Sequence, residues 1–157
     1  MEETRFIADV MLGKLSKWLR MLGCDTLYFR ETNDDELVAR TVKEKRQLLT
    51  RKTHLMQRND IKDYLFFISH NDPLKQLGEV IEHYKLTSVP PAAFTRCLIC
   101  NQKLKESTPE RIRSRVPDYV VNTQKHFLTC SSCKRIYWRG THYENMQKTL
   151  KRIPCPP

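Results

Sequence analysis

Two CxxC pairs constrain this chain more than any other feature: Cys97-Leu98-Ile99-Cys100 and Cys130-Ser131-Ser132-Cys133, separated by residues 101–129. Each pair offers two thiolates from one tight turn, and two such pairs at this spacing suit a tetrahedral four-thiolate zinc site. A redox dithiol of the thioredoxin kind would need one CxxC beside a βαβ unit. The N-terminal MEETRFIADV starts acidic and lacks the basic-then-apolar pattern of a leader. No apolar run reaches the length of a membrane span. The expected setting is therefore cytoplasmic, where disulfides are uncommon, and Cys97, Cys100, Cys130 and Cys133 are expected to hold structural zinc. Cys24 reads as a small core residue and Cys155, in the tail IPCPP, as part of a mobile end. His54 and His83 read as surface residues.

The segments beside the knuckles, HFLTC (126–130) and KRIYW (134–138), read as strands of a small ribbon with little core of its own unless metal is bound. Ahead of the knuckles the pattern changes. RFIADV (5–10), DTLYF (25–29), the strand ending at Leu48-Leu49 and YLFFIS (64–69) read as four buried strands. Residues 11–22 read as a helix with Met11, Leu15, Trp18, Leu19 and Leu22 on one face and Lys14, Lys17 and Arg20 elsewhere on its surface. Asn33-Asp34-Asp35-Glu36 opens a second helix, and another follows Pro73. Strands alternating with helices predict an α/β fold, a parallel sheet flanked by helices. Pro90-Pro91 reads as a stiff linker. It divides the chain into a first domain, 1–89, and a zinc ribbon with a C-terminal helix, 94–157.

In a parallel sheet, ligands collect beyond the carboxyl ends of the strands. Asp9, the run 33–36, Thr50-Arg51-Lys52 and His70-Asn71-Asp72 all fall there, while Asp60 and Asp63 precede the fourth strand and are expected at the opposite edge. Converging carboxylates would suit Mg²⁺ or Mn²⁺. Asp34, Asp35 and Asp72 each also fit helix capping. Asp9 stands in an apolar strand, where an unpartnered carboxylate is costly.

Charge is unevenly spread. Residues 1–95 hold 15 Lys and Arg against 14 Asp and Glu, and residues 96–157 hold 13 against 4. A basic module beside a neutral one points to a polyanion such as nucleic acid. Lys134, Arg135 and Arg139 interleave with Tyr137, Trp138 and Tyr143, a pattern suited to backbone contact and base stacking. The same aromatics equally suit packing of the ribbon. His142 suits a phosphate contact or the cap of the last helix.

FIADVMLGKLSKWLRMLGCDT, DDEL (34–37), LLTR (48–51), QL (76–77), RCLICN (96–101) and CSSCKRIYWRGTH (130–142) run in order along nearly the whole chain. Together they resemble the Mut-seven C-terminal RNase-domain family, a PIN-like domain followed by a zinc ribbon. The resemblance implies a PIN-like fold and Mg²⁺- or Mn²⁺-dependent RNA cleavage. It implies Asp9 and Asp35 as metal-holding residues, with Asp34 or Asp72 assisting. Lys14, Arg20 and Arg51 would then position RNA.

One position departs from the pattern. The acidic residue that follows Thr-Arg in the family is Lys52 here. An ammonium at ~4 Å, with an effective dielectric of about 20, opposes each positive unit charge by roughly 4 kcal/mol. Lys52 therefore divides two readings, a metal-dependent endoribonuclease and a catalytically degenerate PIN-like module that binds RNA or a ribonucleoprotein. A side chain turned to solvent, or one contacting the scissile phosphate, would keep the first. A pair between Lys52 and Asp9 or Asp35 would favour the second. A third reading, a duplex-DNA-binding ribbon, predicts preference for duplex DNA over single-stranded RNA.

Overall fold

The structure, a computed structural model, describes residues 3–88 and 90–154; Cys155 lies outside them. Four short strands, β1 (Phe6–Ala8), β2 (Thr26–Tyr28), β3 (Gln47–Thr50) and β4 (Leu65–Phe67), form an all-parallel sheet in the order β2-β1-β3-β4. The α/β architecture expected from the alternating pattern is the one found. Between them run α1 (Gly13–Met21) and α2 (Asp34–Glu44), and α3 (Pro73–Tyr84) follows β4.

The alternation of side chains sorts the sheet into two faces. Phe6, Ala8 and Leu49 join Leu15, Leu19, Leu77 and Ile81 in one core cluster. Ile7 and Leu48 join Leu37, Val38, Leu55 and Ile61 in the other. Local signals set the helix ends. Asn33 caps α2 by accepting from Glu36 N–H at 2.9 Å, and Asp72 caps α3 by accepting from Leu74 and Lys75 N–H, both at 3.0 Å. Pro73 follows at the first helical position.

Two details differ from the sequence reading. Residues 10–12 form a 3₁₀ turn opened by Asp9, not the first turn of the α-helix. Its tighter winding rotates Met11 outward to 62% exposure, and Leu12 takes its place in the core. Arg20, placed on the surface by helical period, is 5% exposed, because the chain beyond residue 90 returns to cover it.

That return begins at Gly23. A Cβ there would lie 2.2 Å from the Ala92 carbonyl oxygen, and the backbone has φ +89°. Glycine is required on both counts. The ribbon is a three-stranded antiparallel sheet, β5 (Lys105–Ser107), β6 (Phe127–Thr129) and β7 (Ile136–Trp138). Between β5 and β6, two short helices, α4 (Pro109–Ile112) and α5 (Asp118–Thr123), build a small core of Ile112, Val120 and Phe127 with Ile136 and Trp138. The last helix, α6 (Thr141–Lys151), and the turn after it send Leu150 and Ile153 into the core cluster of α1 and α3.

Candidate functional site

The order β2-β1-β3-β4 reverses direction between β1 and β3, which is where open parallel sheets place their ligand crevice. Asp9 ends β1 at this point and is fully buried. Its two carboxylate oxygens are supplied from within. Oδ1 accepts from Met11 N–H at 2.8 Å. Oδ2 accepts from the Thr50 hydroxyl at 2.5 Å and from Arg51 N–H at 3.1 Å. The cost of burying the charge is met by these donors.

The run after β2 is split by the first turn of α2. Asp34 faces β3. Lys52 Nζ lies 2.6 Å from its Oδ1 and His54 Nε2 lies 2.7 Å from its Oδ2. The Lys52 and His54 contacts hold the Asp34 carboxyl below the usual carboxylate range. Lys52 thus pairs with neither Asp9 nor Asp35 but with their neighbour. Asp35, 92% exposed at its side chain, lies 3.1 Å from Arg58 Nη1, and the same guanidinium holds Asp60 at 2.8 Å. Asp60 was expected at the opposite edge; one guanidinium instead joins it to Asp35, because the 3₁₀ turns after β3 fold back beside α2.

Beyond β4, Arg51 Nη1 donates to the His70 carbonyl. His70 Nδ1 contacts Glu79 Oε1, and Glu79 also accepts from Ser69 and His70 N–H. Burial pushes the Glu79 carboxyl up, but these donors outweigh it and hold it below its ordinary range. Asp72 serves as the α3 cap.

The four predicted zinc thiols do meet. Cys97, Cys100, Cys130 and Cys133 present sulfurs all within 4.8 Å of one another. Among the described residues they are the one group of three or more His, Cys, Asp or Glu so gathered; Asp9, Asp34, Asp35 and Asp72 do not converge into another. Zn–S bonds of about 2.3 Å in a tetrahedron separate sulfurs by about 3.8 Å, and Cys97 and Cys133 stand 3.6 Å apart. The donor set therefore fits zinc. Burial raises the Cys97 thiol, but the Tyr137 hydroxyl at 3.2 Å and the Cys100 N–H outweigh it and bring it down to about 7.

The knuckle is tied to the sheet domain by buried polar contacts. Arg20 Nη1 donates to the Leu98 carbonyl at 2.9 Å and the Ile99 carbonyl at 3.1 Å, while its Nε donates to Thr26 O at 2.9 Å. Asn101 accepts from Thr26 N–H at 3.0 Å and donates to Asp25 at 2.7 Å. Arg96 donates to Gly23 O at 2.9 Å. Arg20 thus docks the ribbon from beneath it. Nothing in its neighbourhood in sequence signals this role.

Four of the predicted RNA-contacting residues, Lys14, Lys134, Arg135 and His142, line one cleft of about 900 Å³ between α1 and the ribbon. Arg51 is at the sheet edge, and Arg139 lies over the Tyr143 ring, 5.6 Å from its centroid. Of the interleaved aromatics, Tyr137 is engaged with Cys97 and with Leu98 N–H, and Tyr143 packs on Phe94 with centroids 4.2 Å apart. Trp138 packs on the small core around Phe127.

A four-stranded parallel sheet flanked by helices, followed by a four-cysteine ribbon, defines the class of protein. Within it, the family model described as the Mut7-C RNAse domain matches residues 4–150, and the chain belongs to that family. Comparison with curated proteins and with solved structures gives no match. No helix among the described residues is long and apolar enough to cross a membrane.

Proposed function

We propose that this protein binds single-stranded RNA on a ribonuclease scaffold whose acidic sheet edge is neutralised from within. Membership of the RNase-domain family supports RNA as the ligand. So do the excess positive charge after residue 95 and the cleft it lines. One observation carries the second half of the reading: Lys52 Nζ lies 2.6 Å from Asp34.

The edge does not fit Mg²⁺ or Mn²⁺. A hard divalent ion needs several oxygen donors facing one point. Here both oxygens of Asp34 are held by Lys52 and His54. Both oxygens of Asp9 are held by Met11, Thr50 and Arg51. Asp35 turns to Arg58, and Asp72 to the start of α3. An ion would have to displace an ammonium from the centre it enters. The zinc thiols, by contrast, support a structural ion that holds the ribbon in shape.

The test is Mg²⁺- and Mn²⁺-dependent cleavage of a single-stranded RNA by zinc-loaded protein, with no chelator, comparing wild type, Asp9→Asn and Lys52→Asp. Wild type should bind the RNA without metal-dependent cleavage. Lys52→Asp, which restores the acidic side chain, should gain Mg²⁺ affinity by at least about tenfold. Cleavage by wild type that Asp9→Asn abolishes would replace this reading with that of an active metal-dependent endoribonuclease.

A further inference from the structure

Three segments far apart in sequence supply the walls of the cleft between α1 and the ribbon. Lys14 and Lys17 come from α1, Arg115 from the turn after α4, and Lys134 and Arg135 from the second knuckle and the approach to β7. All five are exposed, and none forms an ion pair among the described residues. Arg115 and Lys134 do have hydrogen-bond partners, but these are backbone carbonyls, which leave the charge uncompensated. Asp72 is the one carboxylate on the lining, and its Oδ1 already accepts from the first turn of α3.

Between these cations the lining is apolar and aromatic. Trp18 and Trp138 both reach it, half-buried, beside Leu98, Ile136 and Met146. Unpaired cations around an apolar, aromatic floor match a polyanion that also offers flat apolar surfaces. A nucleic-acid strand with unpaired bases meets both demands. A duplex meets only the first, because its base faces are stacked inside it. A volume near 900 Å³ lies within the ordinary range of pockets that enclose a small ligand, about 300–1,000 Å³.

We infer that this cleft is the RNA site, and that it takes a short unpaired segment of the strand. Bases enter against Trp18 and Trp138, and phosphates lie along Lys14, Lys17, Arg115, Lys134 and Arg135. The inference rests on the RNA-binding reading above and adds the place where the strand binds and the side chains that take its bases and phosphates. Arg20 is a positioning residue here. It joins α1, which bears Lys14 and Lys17, to the Leu98 and Ile99 carbonyls of the knuckle, and so sets the distance between the walls.

The chain has two tryptophans, and both line the cleft. Intrinsic fluorescence therefore reports its occupancy directly. The experiment titrates zinc-loaded full-length protein with a short end-labelled oligouridine and with a duplex RNA of equal length, following tryptophan emission and label anisotropy together. Single strand should quench the tryptophans and bind at least about tenfold tighter than duplex. The pair Lys17→Glu and Arg135→Glu should weaken binding by about tenfold or more and flatten its salt dependence. The pair Lys43→Glu and Lys62→Glu makes the same charge change at exposed sites outside the cleft, and should stay within about twofold of wild type. Anisotropy showing tight binding with unchanged tryptophan emission, or equal losses in the two double variants, would overturn the cleft and leave RNA binding standing. No anisotropy change with any RNA would overturn both.

Discussion

At the sheet edge, Lys52 meets Asp34 at 2.6 Å and Arg58 meets Asp35 at 3.1 Å. In the cleft, Lys14, Lys17, Arg115, Lys134 and Arg135 meet no carboxylate in an ion pair among the described residues. Both regions are rich in cations, yet one is electrically closed and the other open. Pairing, more than the count of basic residues, decides where a polyanion can gain from contact, since a cation already matched has little further to offer. The comparison separates two roles within one chain. At the edge where the family's chemistry is expected, Asp34 and Asp35 are already paired internally, while the surface created by attaching the ribbon carries cations without a carboxylate partner among the described residues.

Removing zinc should disturb this contrast most. Structural zinc in small domains contributes about 10–16 kcal/mol of apparent binding free energy at neutral pH. Purified protein should carry stoichiometric zinc by metal analysis. Chelation should unfold the ribbon, abolish RNA binding and remove the cooperative melt of the ribbon strands by circular dichroism. Retention of full RNA affinity without metal would place the binding surface elsewhere.

Asp9→Ala comes next. It strips three donors of a fully buried acceptor, and should cost about 3 kcal/mol or more in urea unfolding. Asp9→Asn, which keeps one acceptor oxygen, should cost less. Arg20→Met should cost about 2 kcal/mol, from the loss of charged donors to the knuckle carbonyls. It should also weaken RNA binding without touching RNA, whereas Asp9→Asn should leave affinity unchanged.

The smallest effect concerns Lys52. The pair with Asp34 is partly exposed, so Lys52→Met should change stability by under about 1 kcal/mol at neutral pH. Its signature is in acid. Asp34 has a depressed folded-state pKa, so its stabilisation is full above the ordinary carboxylate value, ~3.9, and is lost as pH falls through the lower folded value. A carboxyl titration followed by nuclear magnetic resonance should find Asp34 below its ordinary value in wild type. In Lys52→Met it should move back up. An unchanged titration would mean that the clasp does not close the edge.

The four-cysteine cluster, the parallel sheet and the cap-type residues at Asn33 and Asp72 were legible in the sequence, because each depends on spacing or on neighbours a few residues away. Asp9 or Asp35 was expected as the partner of Lys52, and Asp34 is the residue that meets it. Adjacent helical residues point about 100° apart, and only the docking angle of α2 decides which one meets β3. Arg20 was misplaced for a related reason. Helical period shows which face meets the first core, and is silent about a knuckle that arrives almost eighty positions later. Helices α4 and α5 were too short to leave a periodic trace, so the wall that carries Arg115 went unseen.

Leu150 and Ile153 lie in the same core cluster as Phe6, Leu15 and Leu19. Chain synthesis runs in the opposite order. While the ribosome extends the segment beyond Met21, the apolar face of α1 has no C-terminal helix to cover it. The sheet domain can collapse early, but its core closes only after residue 153 has left the exit tunnel. Contacts of such long sequence separation are the slow ones to form, and an uncovered core face on a nascent chain invites chaperones or aggregation. A ribosome stalled shortly before residue 150 would present a chain with every strand of the sheet already made and its central helix still partly bare.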